Sequence, residues 1–162
     1  MTMKKLKLYL DTSVISHLDA ADRPDWMADT LKLWELIKFG EYDVALSYVD
    51  FTEIAKCSEE KQAIFADFLT QIKYTHVNYS DEIFTLAGEF IRLGILKQKS
   101  FDDAQHIATA MVSACDIIVS WNFKHMVNHK TINGVKIVSA LTKYRDVAIY
   151  TPTMLIGDDN DD

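Results

Sequence analysis

Residues 6–14 read LKLYLDTSV, and this stretch decides the fold. Three leucines at alternate positions form a short apolar run typical of a buried strand, and Asp11 stands where that strand should end. In open α/β sheets, ligands bind outside the carboxyl ends of the strands. A carboxylate at that place, followed by the hydroxyls of Thr12 and Ser13, is positioned to hold a metal or to attack a substrate.

Length and composition predict a single folded domain. A chain of 162 residues can bury a sizeable core, and its 49% hydrophobic content with only 2 prolines argues against disorder. No apolar stretch reaches the roughly 18 residues of a membrane helix, and the first apolar run is too short for a signal peptide. We therefore expect a cytoplasmic protein without a membrane segment. Cys57 and Cys115 lack metal-ligand spacing and are expected to be free thiols.

The charge distribution excludes binding to nucleic acid by charge alone. The formal net charge is −7, and no basic stripe stands out along the chain. A nucleic-acid substrate would therefore need a divalent metal to supply positive potential, and the acidic surface would also suit a basic protein partner. Four aspartates fall within the last five residues, which predicts a solvated acidic tail over 157–162.

Strand and helix patterns alternate through the rest of the chain, with no repeat or linker. The predicted strands cover residues 5–10, 42–48, 73–77, 116–120 and 147–150. The predicted helices include 25–39, 64–72, 80–94, a stretch beginning at 100, and 132–143. This alternation predicts a three-layer α/β/α sandwich around a parallel sheet of about five strands, in one domain over residues 1–156.

Three acids stand near the starts of helices that follow strands or loops. Asp11, Glu53 and Asp103 each have a purely structural interpretation, because Asp11 fits a helix cap and the other two fit capping boxes begun by Asp50 and Ser100. Together the three acids predict a shared site, because helix N-termini lie close together at the carboxyl edge of such a sheet. Carboxylates facing one another there would repel unless a cation held them. We therefore predict a Mg²⁺ or Mn²⁺ site built from these oxygens.

Four segments, in this order, resemble the successive motifs of the PIN domain family: LYLDTSVIS, SYVDFTEI, FDDAQHIATA and IIVSWNFKHMVN. The likeness covers nearly the whole chain. Many bacterial members of that family are VapC-type toxins, which are metal-dependent ribonucleases. The resemblance implies that this chain hydrolyses RNA, with Mg²⁺ or Mn²⁺ as cofactor, as the toxin half of a type II toxin–antitoxin pair. It further implies an antitoxin partner and a homodimer, for which the helices between residues 25 and 72 offer a surface.

The resemblance assigns roles to five residues. Asp11, Glu53 and Asp103 match the metal-binding acids of the family, and Ser13 matches the hydroxyl that supports the first of them. Asn122 stands where many members carry a fourth acid. A neutral amide coordinates only through its carbonyl oxygen, so this departure should weaken a second metal site more than the first.

Other residues near these motifs have ordinary interpretations. Asp102 adjoins Asp103, but successive helical residues diverge, so we expect only one of the two to face the site. His106 is expected to be a packed, hydrogen-bonded residue, and Lys124 an ordinary solvated lysine with contact to an RNA backbone as the alternative. Trp121 is expected to be structural, with contact to a base as its alternative. His125 and His129 have metal-ligand spacing if helical, but no third ligand is apparent.

Two other functions fit parts of the sequence. A PIN fold that has lost catalysis would be a binding module, and Asn122 would be one sign of that loss. A phosphohydrolase of the haloacid-dehalogenase type would use Asp11 as nucleophile. That class usually has a second Asp two residues later, where this chain has Ser13, and its Gly-Asp-Asp motif occurs here only at 157–159, in the tail.

Overall fold

The computed structural model describes residues 4–157. Five strands form one sheet in the order β3-β2-β1-β4-β5, and every neighbouring pair is parallel. The strands are β1 (Lys7–Leu10), β2 (Asp43–Ser47), β3 (Thr75–Val77), β4 (Ile117–Val119) and β5 (Ala148–Tyr150). The five-stranded parallel sheet predicted from the alternating pattern is therefore confirmed, and the strand that ends at Asp11 lies at its centre.

Helices cover both faces of the sheet. They are α1 (Thr12–Ser16), α2 (Pro24–Lys38), α3 (Tyr48–Ile54), α4 (Glu59–Leu69), α5 (Asp81–Arg92), α6 (Phe101–Val112), α7 (His129–Leu141) and α8 (Pro152–Leu155). Tyr9 points into a core formed with α5, α6 and α7, whereas Leu8 and Leu10 point into a second core formed with α1, α2 and α4. Alternate residues of one strand thus fill opposite cores, which confirms the three-layer sandwich.

The start of α3 corrects one sequence-based expectation. Asp50 was expected to be the N-cap of this helix, but the helix begins three residues earlier and Ser47 is its N-cap. The Ser47 hydroxyl accepts a hydrogen bond from the Val49 N–H at 3.2 Å, and Asp50 Oδ2 accepts one from the Ser47 N–H at 3.0 Å. Asp50 is thus the capping-box partner, a role that had been suggested for Glu53. Glu53 therefore has no capping role at the start of α3.

Smaller differences occur elsewhere. The last long helix begins at His129 instead of 132, because Asn128 Oδ1 accepts a hydrogen bond from the Thr131 N–H at 2.9 Å and caps it. Cys57 and Cys115 are free thiols, as expected. Within residues 4–157, the helices are too short or too polar to cross a bilayer. The predicted acidic tail lies outside the described residues apart from Gly157.

Candidate active site

Four segments of the chain bring the predicted residues to one edge of the sheet. Asp11 follows β1, Glu53 lies on α3 directly after β2, and Asn122 follows β4. Asp103 reaches the same edge from the first turn of α6. The carboxyl ends of parallel strands meet at one edge, so residues distant in sequence converge there. Ser13 lies beside Asp11 on α1, so all five predicted residues lie in this region.

Asp11 is held firmly in the interior of this edge. It is 3% exposed, and its Oδ1 accepts hydrogen bonds from the Ser13 N–H at 3.1 Å and from Ser13 Oγ at 2.5 Å. Its Oδ2 accepts a hydrogen bond from Ser120 Oγ at 2.5 Å. Ser13 Oγ in turn accepts from the Trp121 N–H at 2.9 Å, which ties the end of β1 to the end of β4. Burial raises the pKa of Asp11, and the charge of His106 and the two hydroxyls oppose that rise.

A second acid that the sequence interpretation missed lies beside Glu53. Asp50 is 0% exposed, and the Thr12 hydroxyl lies 3.1 Å from both Asp50 Oδ1 and Glu53 Oε1. Burial raises the pKa of Asp50 to about 7, against the opposing charge of His106. The spacing of Asp50 and Glu53 in the sequence already indicates this proximity, because residues three apart on a helix share a face. Two acids at that spacing after a strand therefore point to the same site.

His106 is the cation of this cluster. It is 2% exposed, its Nε2 lies 2.6 Å from Glu53 Oε1, and its Nδ1 lies 2.5 Å from the Tyr9 hydroxyl and 4.0 Å from Asp50 Oδ1. Burial by itself would lower the pKa of His106, but the hydrogen bond to Glu53 and the charges of Asp50 and Asp11 raise it to about 9. The imidazolium form therefore prevails at neutral pH. The expected packed, hydrogen-bonded histidine is confirmed.

Asp103 and Asn122 lie together on the other side of the candidate site. Asn122 Nδ2 lies 3.4 Å from Asp103 Oδ1, and Asn122 Oδ1 accepts a hydrogen bond from the His125 N–H at 3.0 Å. Burial raises the pKa of Asp103, and the charges of His106 and His125 oppose that rise. The suggested capping box with Ser100 is wrong, because Ser100 makes no side-chain cap bond.

The side chains of Asp102 and Trp121 play no direct part in this cluster. Asp102 is exposed and accepts a hydrogen bond from Gln105 Nε2 at 3.2 Å, as expected for a residue on another face of the helix. Trp121 is buried, its Nε1 donates to Thr30 Oγ1 at 2.8 Å, and its ring stacks on Trp26 with centroids 4.7 Å apart. The structural interpretation of Trp121 is therefore the one that the packing supports.

The donor set of the edge matches a hard divalent cation by its chemistry. Three carboxylates with hydroxyl and amide neighbours are the ligand types that Mg²⁺ and Mn²⁺ prefer, and burial raises the pKa of two of them, Asp11 and Asp103. Within residues 4–157, however, no three side chains of His, Cys, Asp or Glu are already arranged as a group that holds a metal ion. His125 and His129 do not share a helical face, because α7 begins only at His129.

Comparison with known proteins identifies the fold. No family model matches this chain, and no curated protein matches it. Among solved structures, a chain of the VapBC2 complex of Rickettsia felis, bound to a DNA fragment from their promoter, superposes with a TM-score of 0.56 at 15% identity over 90% of this chain and 98% of that one. VapC20 of Mycobacterium tuberculosis, described as a toxin that cleaves the sarcin-ricin loop, gives a TM-score of 0.56 at 16% identity over 73% of this chain and 92% of its own. The chain thus has the PIN-like fold of the VapC-type toxins, as its motifs predicted.

Proposed function

We propose that this chain is a metal-dependent endoribonuclease of the PIN domain family. One observation carries the proposal: Asp11, Glu53 and Asp103 converge at the carboxyl edge of a parallel sheet. The fold is that of VapC20, which cleaves the sarcin-ricin loop. The likeness to VapC20 supports the fold, and the convergence of acids in this chain supports the chemistry.

Asp11, Glu53 and Asp103 would hold Mg²⁺ or Mn²⁺, which when bound acts as a Lewis acid and lowers the pKa of a coordinated water. The chain supplies the rest of the arrangement. Ser13 fixes the orientation of the Asp11 carboxylate through two hydrogen bonds, and Asn122 contacts Asp103. Because these supports come from backbone and short side chains, the carboxylates are held with little conformational freedom.

His106 is a positioning residue in this proposal. Its Nε2–H donates to Glu53 Oε1, and its Nδ1–H donates to the Tyr9 hydroxyl, which then donates to Ser47 Oγ at 2.7 Å. This chain of hydrogen bonds fixes the rotamer of Glu53 from the core of the protein. The imidazolium also offsets the charges of the buried acids, so that they remain close together before a cation binds.

We further propose that the ribonuclease is the toxin of a type II toxin–antitoxin pair in the cytoplasm, and that it forms a homodimer. A cluster of partly buried carboxylates is a receptor for a basic side chain, because charge-assisted hydrogen bonds to carboxylates are strong. An antitoxin that inserted such a side chain would block the site. The VapBC2 complex, a chain of which shares this fold, supports a partner of this type. A short neighbouring reading frame that encodes a DNA-binding protein would support the pairing.

The test is RNA cleavage by the purified protein in Mg²⁺, in Mn²⁺ and in EDTA. We expect cleavage that depends on metal. Asp103→Asn should lower the rate by about 100-fold or more, because metal-held charge stabilisation is worth several kcal/mol. The matched control is Asp102→Asn, which changes the same chemical group on the exposed face of the same helix and should cut at close to the wild-type rate. Equal rates for the two variants would refute the assignment of Asp103.

A non-catalytic binding module is the second candidate. The observation that favours it is the 2.6 Å hydrogen bond by which His106 already engages Glu53. RNA that is bound but left intact under all three metal conditions would establish this candidate over the ribonuclease.

The phosphohydrolase hypothesis is the weakest. The residue two positions after Asp11 is Ser13, which donates a hydrogen bond to Asp11 and does not supply the second acid that this class usually has. Hydrolysis of small phosphate esters without cleavage of RNA would favour this hypothesis instead.

A further inference from the structure

A basic cavity lies next to the cluster of acids. Its volume is 230 Å³, and it opens between the segment that precedes α6 and the turn that joins β4 to α7. Among residues 4–157, no acidic side chain lines it. Its basic lining consists of Lys97, Lys99, Lys124, Lys130 and His125. In a chain of net charge −7, this concentration of one sign of charge requires an explanation.

The four lysines have no counterion among the residues that the structure describes. All four are exposed, and none of their ammonium groups makes a hydrogen bond or an ion pair with another residue in the region 4–157. Elsewhere on the surface, basic side chains do pair with acids, as Lys61 does with Asp19 at 2.6 Å and Arg145 with Asp116 at 3.0 Å. The ammonium groups around the cavity are therefore available to an external anion.

The same two segments of the chain carry residues of the cavity and residues of the acid cluster. Ser100 lines the cavity and ends the short 3-10 helix that leads directly into α6, which carries Asp103 in its first turn. In the other segment, Lys124 and His125 follow Asn122, whose Nδ2 lies 3.4 Å from Asp103 Oδ1. The cavity therefore lies beside the part of the site that holds Asp103, whose pKa also responds to the charge of the cavity residue His125.

Hydrogen bonds fix the turn that carries two of the cavity's basic residues. Asn128 Nδ2 donates to the carbonyl oxygens of Phe123 and Lys124, each at 3.0 Å, and Thr131 Oγ1 donates to the carbonyl oxygen of His125 at 2.8 Å. The backbone is thus ordered before any ligand arrives, which lowers the entropic cost of binding.

We propose that this cavity binds the phosphates of an RNA strand that flank the bond presented to Asp103. The inference rests on the proposed ribonuclease function and extends it to the way in which the substrate is held. Lysine ammonium groups bind phosphate as compact point charges, without reading the base. A water occupies about 30 Å³ in the liquid, so the cavity has room for a hydrated phosphate group. The lysines also offset the repulsion between RNA and an acidic chain. For Lys124, the proposal favours the alternative interpretation, contact with an RNA backbone, over that of an ordinary solvated lysine.

The experiment measures how RNA binding depends on salt. A fluorescein-labelled single-stranded RNA of mixed sequence is titrated with protein in EDTA, so that binding is observed without cleavage, and fluorescence anisotropy gives the affinity at several salt concentrations. The test variant carries K97Q, K99Q, K124Q and K130Q. The control carries K4Q, K5Q, K38Q and K73Q, which make the same change in charge at the opposite, amino-terminal edge of the sheet.

We expect the slope of log affinity against log salt to become shallower by about three in the test variant, because each phosphate contact to a single strand contributes about 0.7. The control should keep nearly the wild-type slope. Circular dichroism melts establish that both variants are folded. If the test variant does not fold, the pairs K97Q/K99Q and K124Q/K130Q should each produce about half of the change.

Test and control variants with equal slopes would overturn the inference. If the wild-type protein still cleaves RNA in that case, the proposed function stands without it. Wild-type protein that neither binds nor cleaves RNA would refute both the cavity inference and the proposed ribonuclease function. A polyglutamate peptide that displaces the RNA at matched charge concentration would instead assign the cavity to an acidic peptide.

Discussion

Replacing His106 by alanine should destabilise the fold by about 3–5 kcal/mol, because removing one partner of a buried ion pair leaves the other charge uncompensated. The imidazole is 2% exposed and lies 2.6 Å from Glu53 and 2.5 Å from the Tyr9 hydroxyl. Asp50, which is entirely buried, lies 4.0 Å away and has no other cation within that distance among residues 4–157. The substitution therefore removes two hydrogen bonds and the positive charge together.

This loss is a large fraction of the total free energy of unfolding. Domains of this kind have a free energy of unfolding of about 5–15 kcal/mol. Each kcal/mol shifts the Tm of a domain of this size by about 2–4 °C, so the Tm should fall by about 10 °C. Asp50→Asn added to His106→Ala should restore about 1–2 kcal/mol, because it removes the charge that the imidazolium had compensated.

Urea unfolding followed by circular dichroism, in EDTA so that no cation replaces the imidazolium, measures these free energies. His129→Ala is the matched control, since His129 is exposed at the start of α7 and its loss should change stability by no more than about 0.5 kcal/mol. If His106→Ala cost no more than this control, the charge-pairing argument would be wrong. Additive losses for His106→Ala and Asp50→Asn would show instead that His106 acts only by packing.

Three further substitutions test the packing of the fold. Thr30→Val should cost about 1–3 kcal/mol, because it leaves the buried Trp121 N–H without its acceptor, and an unchanged urea midpoint would contradict this. Gly134→Ala places a Cβ 2.5 Å from Ile95 Cγ2. The resulting over-packing should lower the free energy of unfolding by about 1–3 kcal/mol and should lower the Tm. A Cβ at Gly88 meets nothing within 4 Å, so Gly88→Ala in the interior of α5 should raise the free energy of unfolding by up to about 1 kcal/mol and should raise the Tm. Tm shifts of the same sign in the two glycine variants would refute the argument.

The amino-acid sequence by itself determined the layers of the fold. Local periodicity carries this information, because alternation at β1 and helical spacing elsewhere specify which faces are buried. The positions of Asp11, Asp103 and Asn122 after strands or at a helix start could also be predicted, since a parallel sheet collects such positions at one edge. Boundaries shifted by a few residues because neighbouring polar residues compete to cap the same helix, as Ser47 and Asp50 do.

Only the tertiary structure decided which side chains meet. His106 bonds to Tyr9 and Glu53, which are 97 and 53 residues away along the chain, and nothing in the local pattern of any of them specifies that contact. The basic cavity likewise joins lysines before α6 to lysines after β4, although the sequence shows no basic stripe. Periodicity specifies which face of an element is buried. The distances between charges depend on how the elements pack, and those distances set the pKa of His106 and the availability of the lysines.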